Sequence, residues 1–182
     1  MRAVCWRSIE QTGLERLVLD EQPGRIVADG IVIGSRGGSR YGLHYKIECD
    51  EQWRTREIWV QVQSGPILHL FGNGSGEWRN AANGELPELT GCIDVDLAAT
   101  PFTNTLPIRR LGLSQGERRA IQVVYIPVPS LVPAPAEQAY TCLEPGGRFL
   151  YEGIFRKFRA ELSTDQDGLV LDYPSLFARE DG

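Results

Sequence analysis

The sequence predicts an all-β protein, and three observations carry that reading. Apolar and polar residues alternate along most of the chain, turn-forming residues separate the alternating runs, and no window of helical length keeps a three-and-four spacing. Helix content is therefore expected to be low. Glu15 to Asp20 alternates as well as it spirals. Leu43 to Asp50 is the cleanest run: Leu43, Tyr45, Ile47 and Cys49 fall on one face, and His44, Lys46, Glu48 and Asp50 on the other. Glu57 to Gln63 sets Ile58, Val60 and Val62 opposite Glu57, Trp59, Gln61 and Gln63. The run Ile67 to Leu70 is separated from Glu77-Trp78 by the turn-rich stretch Phe71 to Gly76. Phe158 to Asp165 sets Phe158, Ala160, Leu162 and Thr164 opposite Arg159, Glu161, Ser163 and Asp165. Asp167-Gly168 then reads as a hairpin turn before Leu169 to Leu171.

So many strands leave exposed edges unless the sheet closes or folds over itself, so a many-stranded antiparallel barrel competes with a sandwich. A faint echo relates Gly38 to Tyr41 and Tyr45 to Glu48 with Gly147 to Phe149 and Phe158 to Glu161, which would fit two duplicated halves. The proline-rich stretch Ile126 to Pro135 is apolar enough to be an extended loop packed across the body or over a pocket mouth. A chain of 182 residues is expected to form one domain with a sizeable core.

Hydrophobic residues make up 42% and charged residues 24%, ordinary globular usage, while 20 glycines and 11 prolines imply many turns. A formal charge of −5 argues against a sequence-independent nucleic-acid binder, which needs a basic footprint, and against an anionic membrane surface. No apolar run approaches membrane-spanning length, and the first residues lack a signal-peptide pattern, so a cytoplasmic protein is expected. Cys5, Cys49, Cys92 and Cys142 are too far apart for a C-x-x-C pattern and read as reduced, mostly buried thiols. With His44 and His69 as the only histidines, no metal site or cofactor is expected. The glycines at 34, 37, 38, 72 and 74 have no following helix to cradle phosphate and read as turn glycines.

Gly91 to Leu111 is the most unusual stretch chemically, with two carboxylates at spacing two, a Thr-Asn-Thr cluster between prolines, and an arginine pair. On a strand, Asp94 and Asp96 share a face about 6.7 Å apart. Neighbours on one strand cannot flank a scissile bond, so they make a poor acid-base dyad alone. Either they lie on a solvated face opposite Ile93, Val95 and Leu97, or they recognise ligand hydroxyls. Arg109 and Arg110 would face opposite sides if this segment is extended. Thr103-Asn104-Thr105 either holds the loop's shape or offers Asn104 to a ligand. Trp59 lies on the polar face of its strand, and Arg54 and Arg56 matter only if their face lines a cavity.

Tyr45 to Asp50, Trp53 to Arg56, Gly74 to Trp78, Gly91 to Asp96, Thr100 to Leu111, Gln138, Tyr140, Gly168 to Val170 and Tyr173 to Phe177 form a set of segments spread over nearly the whole chain. In these segments the chain resembles the bacterial family described as glycolipid-binding, formerly a domain of unknown function. The most specific part is Thr-Asn-Thr-Leu-Pro-Ile-Arg-Arg-Leu. The resemblance implies an antiparallel barrel with an internal tunnel, similar in shape to bacterial lipoprotein carriers, and an ability to hold glycolipid.

Together these readings lead to a non-catalytic protein that binds an amphipathic molecule in the barrel interior. The residues expected at the ligand are Arg54, Arg56, Trp59, Asp94, Asp96, Asn104, Arg109, Arg110 and Tyr140. A rival expectation is an enzyme acting on glycosyl or phosphoryl groups through Asp94 and Asp96, which would need Glu48, Glu57 or Glu152 on the opposite wall. A third is a structural or regulatory barrel filled by its own side chains.

Overall fold

The computed structural model describes residues 1–180 and shows one continuous sheet of fourteen strands. In chain order these are β1 (Arg2–Ser8), β2 (Gly13–Gln22), β3 (Arg25–Arg36), β4 (Ser39–Cys49), β5 (Thr55–Val62), β6 (Ile67–Gly72) and β7 (Trp78–Asn80). After them come β8 (Asp94–Leu97), β9 (Arg118–Ile126), β10 (Ala134–Glu144), β11 (Arg148–Gly153), β12 (Phe158–Thr164), β13 (Val170–Tyr173) and β14 (Phe177–Glu180). β1 to β7 pair consecutively, as do β9 to β14, and the two meanders join where β1 pairs with β14. Every ladder is antiparallel except that of β8, which adds to β9 in parallel.

The alternation read from the sequence sets the inward faces. Leu43, Tyr45, Ile47 and Cys49 are buried along β4, Ile58, Val60 and Val62 along β5, and Ala160, Leu162 and Thr164 along β12. The expected turn at Asp167-Gly168 lies between β12 and β13, with Gly168 at a φ of 77° that favours glycine. Gly37, Gly38 and Gly74 likewise take positive φ in turns, but Gly34 and Gly72 lie within β3 and β6 rather than in turns.

The expected closure into a barrel does not occur. No ladder joins β7 to β8, and the sheet keeps these two strands as its ends. The physical reason is that both are short and the chain between them turns back on β7, where Glu85 bridges to Arg79, without reaching β8 as a strand. Gly91 donates its N–H to the Gly76 carbonyl at 2.8 Å, and the Trp78 indole donates to the Cys92 carbonyl at 2.7 Å. The echo between the halves has no structural counterpart either, since Ser39 to Glu48 is the single strand β4, whereas its proposed repeat spans β11 and β12.

The second departure is at Thr105–Leu111, which forms a short helix, α1, preceded by a 3-10 turn at Phe102–Asn104. Pro107 is tolerated because it sits in the first turn, where backbone N–H groups have no intrahelical acceptor. Gly112 ends the helix in the left-handed region at φ 55°, and Arg109 and Arg110 in the last turn complement its dipole. Pro101 to Ile108 is buried throughout. Phe102 and Leu106 pack into one core cluster with β1 to β6 and β8, while Ile108 packs into a second with β10 to β13. This segment therefore fills part of the interior. The proline-rich connection between β9 and β10 packs inward through Val128 and Leu131. Cys49, Cys92 and Cys142 are buried, Cys5 is partly exposed, and all four are free thiols. No helix among the described residues is long and apolar enough to cross a membrane.

Candidate functional site

A cavity of about 360 Å³ opens between the two meanders, where the ends of β1 to β4 face β11 to β14 across the segment from Asp96 to Asn104. That volume lies at the lower end of small-molecule sites, about 300 to 1,000 Å³. One wall is aromatic. Tyr151, Phe158, Tyr173 and Phe177 stand in a chain with neighbouring ring centroids 6.0 to 6.2 Å apart, and Phe155 lies tilted against Tyr125 at 5.2 Å. Such spacings suit edge and tilted ring contacts.

The floor is polar and begins with Glu15. On β2 this residue is in phase with Leu17 and Leu19, so the pleat turns it inward, where it is 2% exposed. Its Oε1 accepts hydrogen bonds from the Tyr45 hydroxyl at 2.5 Å and the Thr100 hydroxyl at 2.7 Å, while Oε2 has no protein partner. Tyr45 reaches across because its partner on β3 is Gly30, where a side chain's first carbon would lie 2.3 Å from the tyrosine ring. Among the described residues, no cation pairs with Glu15. Burial therefore pushes its carboxyl up to about 8, against the opposing pull of the two hydroxyls. At neutral pH it is a neutral acid.

Asp96 and Asn104 complete the floor. Gln138 donates to Asp96 at 2.6 Å, and Tyr140 donates to the Asn104 side-chain carbonyl at 2.9 Å. Burial raises the Asp96 carboxyl, opposed first by the Gln138 hydrogen bond and then by the charges of Arg156 and Arg36. These two arginines also line the cavity. Among the described residues, no group of three or more His, Cys, Asp or Glu is placed to hold a metal ion.

Asp94 and Asp96 part company. Asp94 is fully buried, and Arg110 grips it through Nε at 2.9 Å and Nη2 at 2.6 Å. The solvated-face alternative fails because α1 folds back over β8 and its Arg110 covers Asp94, Asp96 turns into the cavity, and Val95 and Leu97 enter the core. Burial raises the Asp94 carboxyl and the guanidinium opposes that rise. Arg109 and Arg110 do diverge, but because successive helix residues are about 100° apart and not because the segment is extended. Arg109 stacks over Trp53 at 4.7 Å and donates to the Asp167 carbonyl.

Of the nine residues expected at a ligand, Asp96 and Asn104 line the cavity and Tyr140 supports Asn104 from behind. Asp94 and Arg110 are held in their ion pair and Arg109 lies in the partly exposed contacts with Trp53 and Asp167, none of the three lining the cavity. Arg54 pairs with Asp50 at 2.9 Å, and Arg56 lies 3.7 Å from the same carboxylate, beside the turn that enters β5. Trp59 stands edge-on to His44 at 5.1 Å and does not line the cavity. Glu48, Glu57 and Glu152 pair with Arg25, His69 and Arg118, and none reaches the cavity. Glu15 was legible in one respect, as a carboxylate in phase with leucines, whereas no local pattern marks Arg36 or Arg156.

The chain was compared with known proteins. None of the curated proteins matches it. A crystal structure of a DUF1089 family protein from Pseudomonas aeruginosa is similar, with a TM-score of 0.80 and 38% sequence identity, covering 92% of each chain. The family model described as "Putative glycolipid-binding" matches residues 3–179. Matched over nearly its full length, the chain belongs to that family.

Proposed function

We propose that this protein binds an amphipathic molecule, a glycolipid or a related lipid, in the cavity between its two meanders and does not transform it. The observation that carries this reading is a cavity that has both an aromatic wall and a polar floor. Apolar chain laid against Tyr151, Phe158, Tyr173 and Phe177 would gain about 0.8 kcal/mol per methylene removed from water. Hydroxyls of a head group would meet Asp96, Asn104 and Thr100. Because the cavity is small, a long acyl chain would extend beyond it through the mouth, and no closed tunnel is required. The family's description supports a binding role. Native mass spectrometry of protein purified from its own host is expected to show a co-purified lipid that organic extraction removes. Repeated absence of any such mass, with an empty cavity in the same preparation, would overturn the reading.

A second reading, hydrolysis of a glycoside, draws on one observation: Glu15, protonated at neutral pH, and Asp96 line the same cavity. It replaces the pairing of Asp94 with Asp96, since Asp94 is held by Arg110. Hydrolysis predicts nitrophenol release from nitrophenyl glycosides that Glu15→Gln abolishes; binding alone predicts no release from either protein.

A further inference from the structure

The cavity is lined by two guanidiniums, Arg36 and Arg156, that have no direct carboxylate partner among the described residues. Arg36, at the end of β3, donates one N–H to the Ala98 carbonyl at 2.5 Å, and Arg156 donates one to the Tyr125 hydroxyl. Among the described residues, no carboxylate oxygen comes within 4.0 Å of either one. A guanidinium has five N–H donors in one plane, so most of the donors of both remain open. Arg156 also lies over the rings of Tyr125 at 4.4 Å and Phe155 at 4.9 Å. Stacking covers its face but leaves its edge free, the edge that forks onto an oxyanion.

The acids in the cavity do not cancel this charge. Glu15 holds its proton through neutral pH, because burial outweighs its two hydroxyl partners. Asp96, whose ionised form the Gln138 amide favours, offsets one of the two guanidinium charges at most, and Glu10 is exposed at the mouth. Both guanidiniums line the same cavity as Asp96, and their charges oppose the upward push of burial on its carboxyl. A neutral sugar uses hydrogen bonds but leaves the surplus positive charge uncompensated; an oxyanion compensates it.

We propose that the ligand is an acidic amphiphile, with a phosphate, sulfate or carboxylate on its polar end held by Arg36 and Arg156 and its apolar part against the aromatic wall. This rests on the binding reading above and narrows its ligand class. Asp96 and Asn104 then face whatever hydroxyls adjoin the anion.

Isothermal titration of the full chain near neutral pH and at low salt, with octyl phosphate, octyl glucoside and inorganic phosphate, all below micelle-forming concentration, tests both levels. Octyl phosphate is expected to bind at least about tenfold tighter than octyl glucoside, and to weaken as salt is raised. The double variant R36Q/R156Q is expected to bring that ratio to about one, whereas R36K/R156K keeps part of it. Thermal unfolding of each variant reports whether it folds, and the wild-type ratio stands if one does not. Equal affinity for the two amphiphiles, or a preference that survives R36Q/R156Q, would overturn the acidic-ligand proposal and leave the binding reading intact. Inorganic phosphate binding as tightly as octyl phosphate would uphold the anion site and sink the amphiphile. No binding of any of the three would overturn both.

Discussion

Asp94 and Glu15 are both buried carboxylates, 0% and 2% exposed, and the fold treats them in opposite ways. Asp94 meets a guanidinium that forks onto both its oxygens, so its charge is fixed inside the molecule and is not offered to a ligand. Glu15 meets two hydroxyls and no cation, so the cheaper state is the neutral acid beside the cavity. Burial alone does not tell a structural acid from a ligand-facing one. The partner's chemistry does, and it also separates Asp94 from Asp96, two residues further along the same strand, which has an amide for its partner.

The largest test of this contrast is Arg110→Met. It leaves Asp94 as an unpaired buried charge and is expected to cost about 3 to 5 kcal/mol in urea unfolding. Replacing both partners by apolar residues, Asp94→Leu with Arg110→Met, should recover most of that loss. A single variant that unfolds like the wild type would mean the pair is not the fixed element described.

Gly30→Ala acts on the other acid. The added carbon meets the Tyr45 ring at 2.3 Å, so the ring must shift from Glu15, at about 1 to 3 kcal/mol of stability. The backbone at Gly30 needs no positive φ, so a cost well below that range would show that Tyr45 moves freely.

Glu15→Gln sharpens the comparison through pH. The folded value of Glu15, about 8, lies above its ordinary value of 4.5. Below pH 4.5 both folded and unfolded chains hold the proton, and the associated stability is fully present. As pH rises from there toward 8, the unfolded chain releases a proton that the folded chain keeps, so stability falls by on the order of 1 kcal/mol per pH unit. Above 8 the loss levels off. Urea unfolding across this range should show the descent in the wild type and its disappearance in Glu15→Gln. The smallest effect is expected for Asp96→Asn, under about 1 kcal/mol in thermal unfolding, because an amide still accepts from Gln138.

Much of the strand pattern could be read from the residues because β-pleat alternation is local: β4, β5 and β12 show it directly. Strand pairing at the margins is not local. Whether β7 meets β8 depends on how the chain between them packs, and no periodicity encodes that. At Thr105–Leu111 the local signals were present, with Pro107 in a first turn, a basic pair in the last turn and Gly112 beyond, but seven residues are too few for a helical stripe to stand out. That helix moved Arg109 and Arg110 away from the cavity and covered Asp94. Asp96 and Asn104 line the cavity because they flank the point where the chain leaves β8. Glu15 was visible as a carboxylate in a leucine phase, whereas Arg36 and Arg156 reach the cavity only when a hairpin end and a 3-10 turn from different meanders face each other.

The most direct measurement is a backbone amide chemical-shift map of the protein titrated with octyl glucoside. Binding between the meanders predicts saturable shifts at Ser35, Thr100, Asn104 and Phe155, with Trp59 and Arg54 unmoved. Shifts confined to the face that carries Trp59, or no saturable shift anywhere, would contradict it.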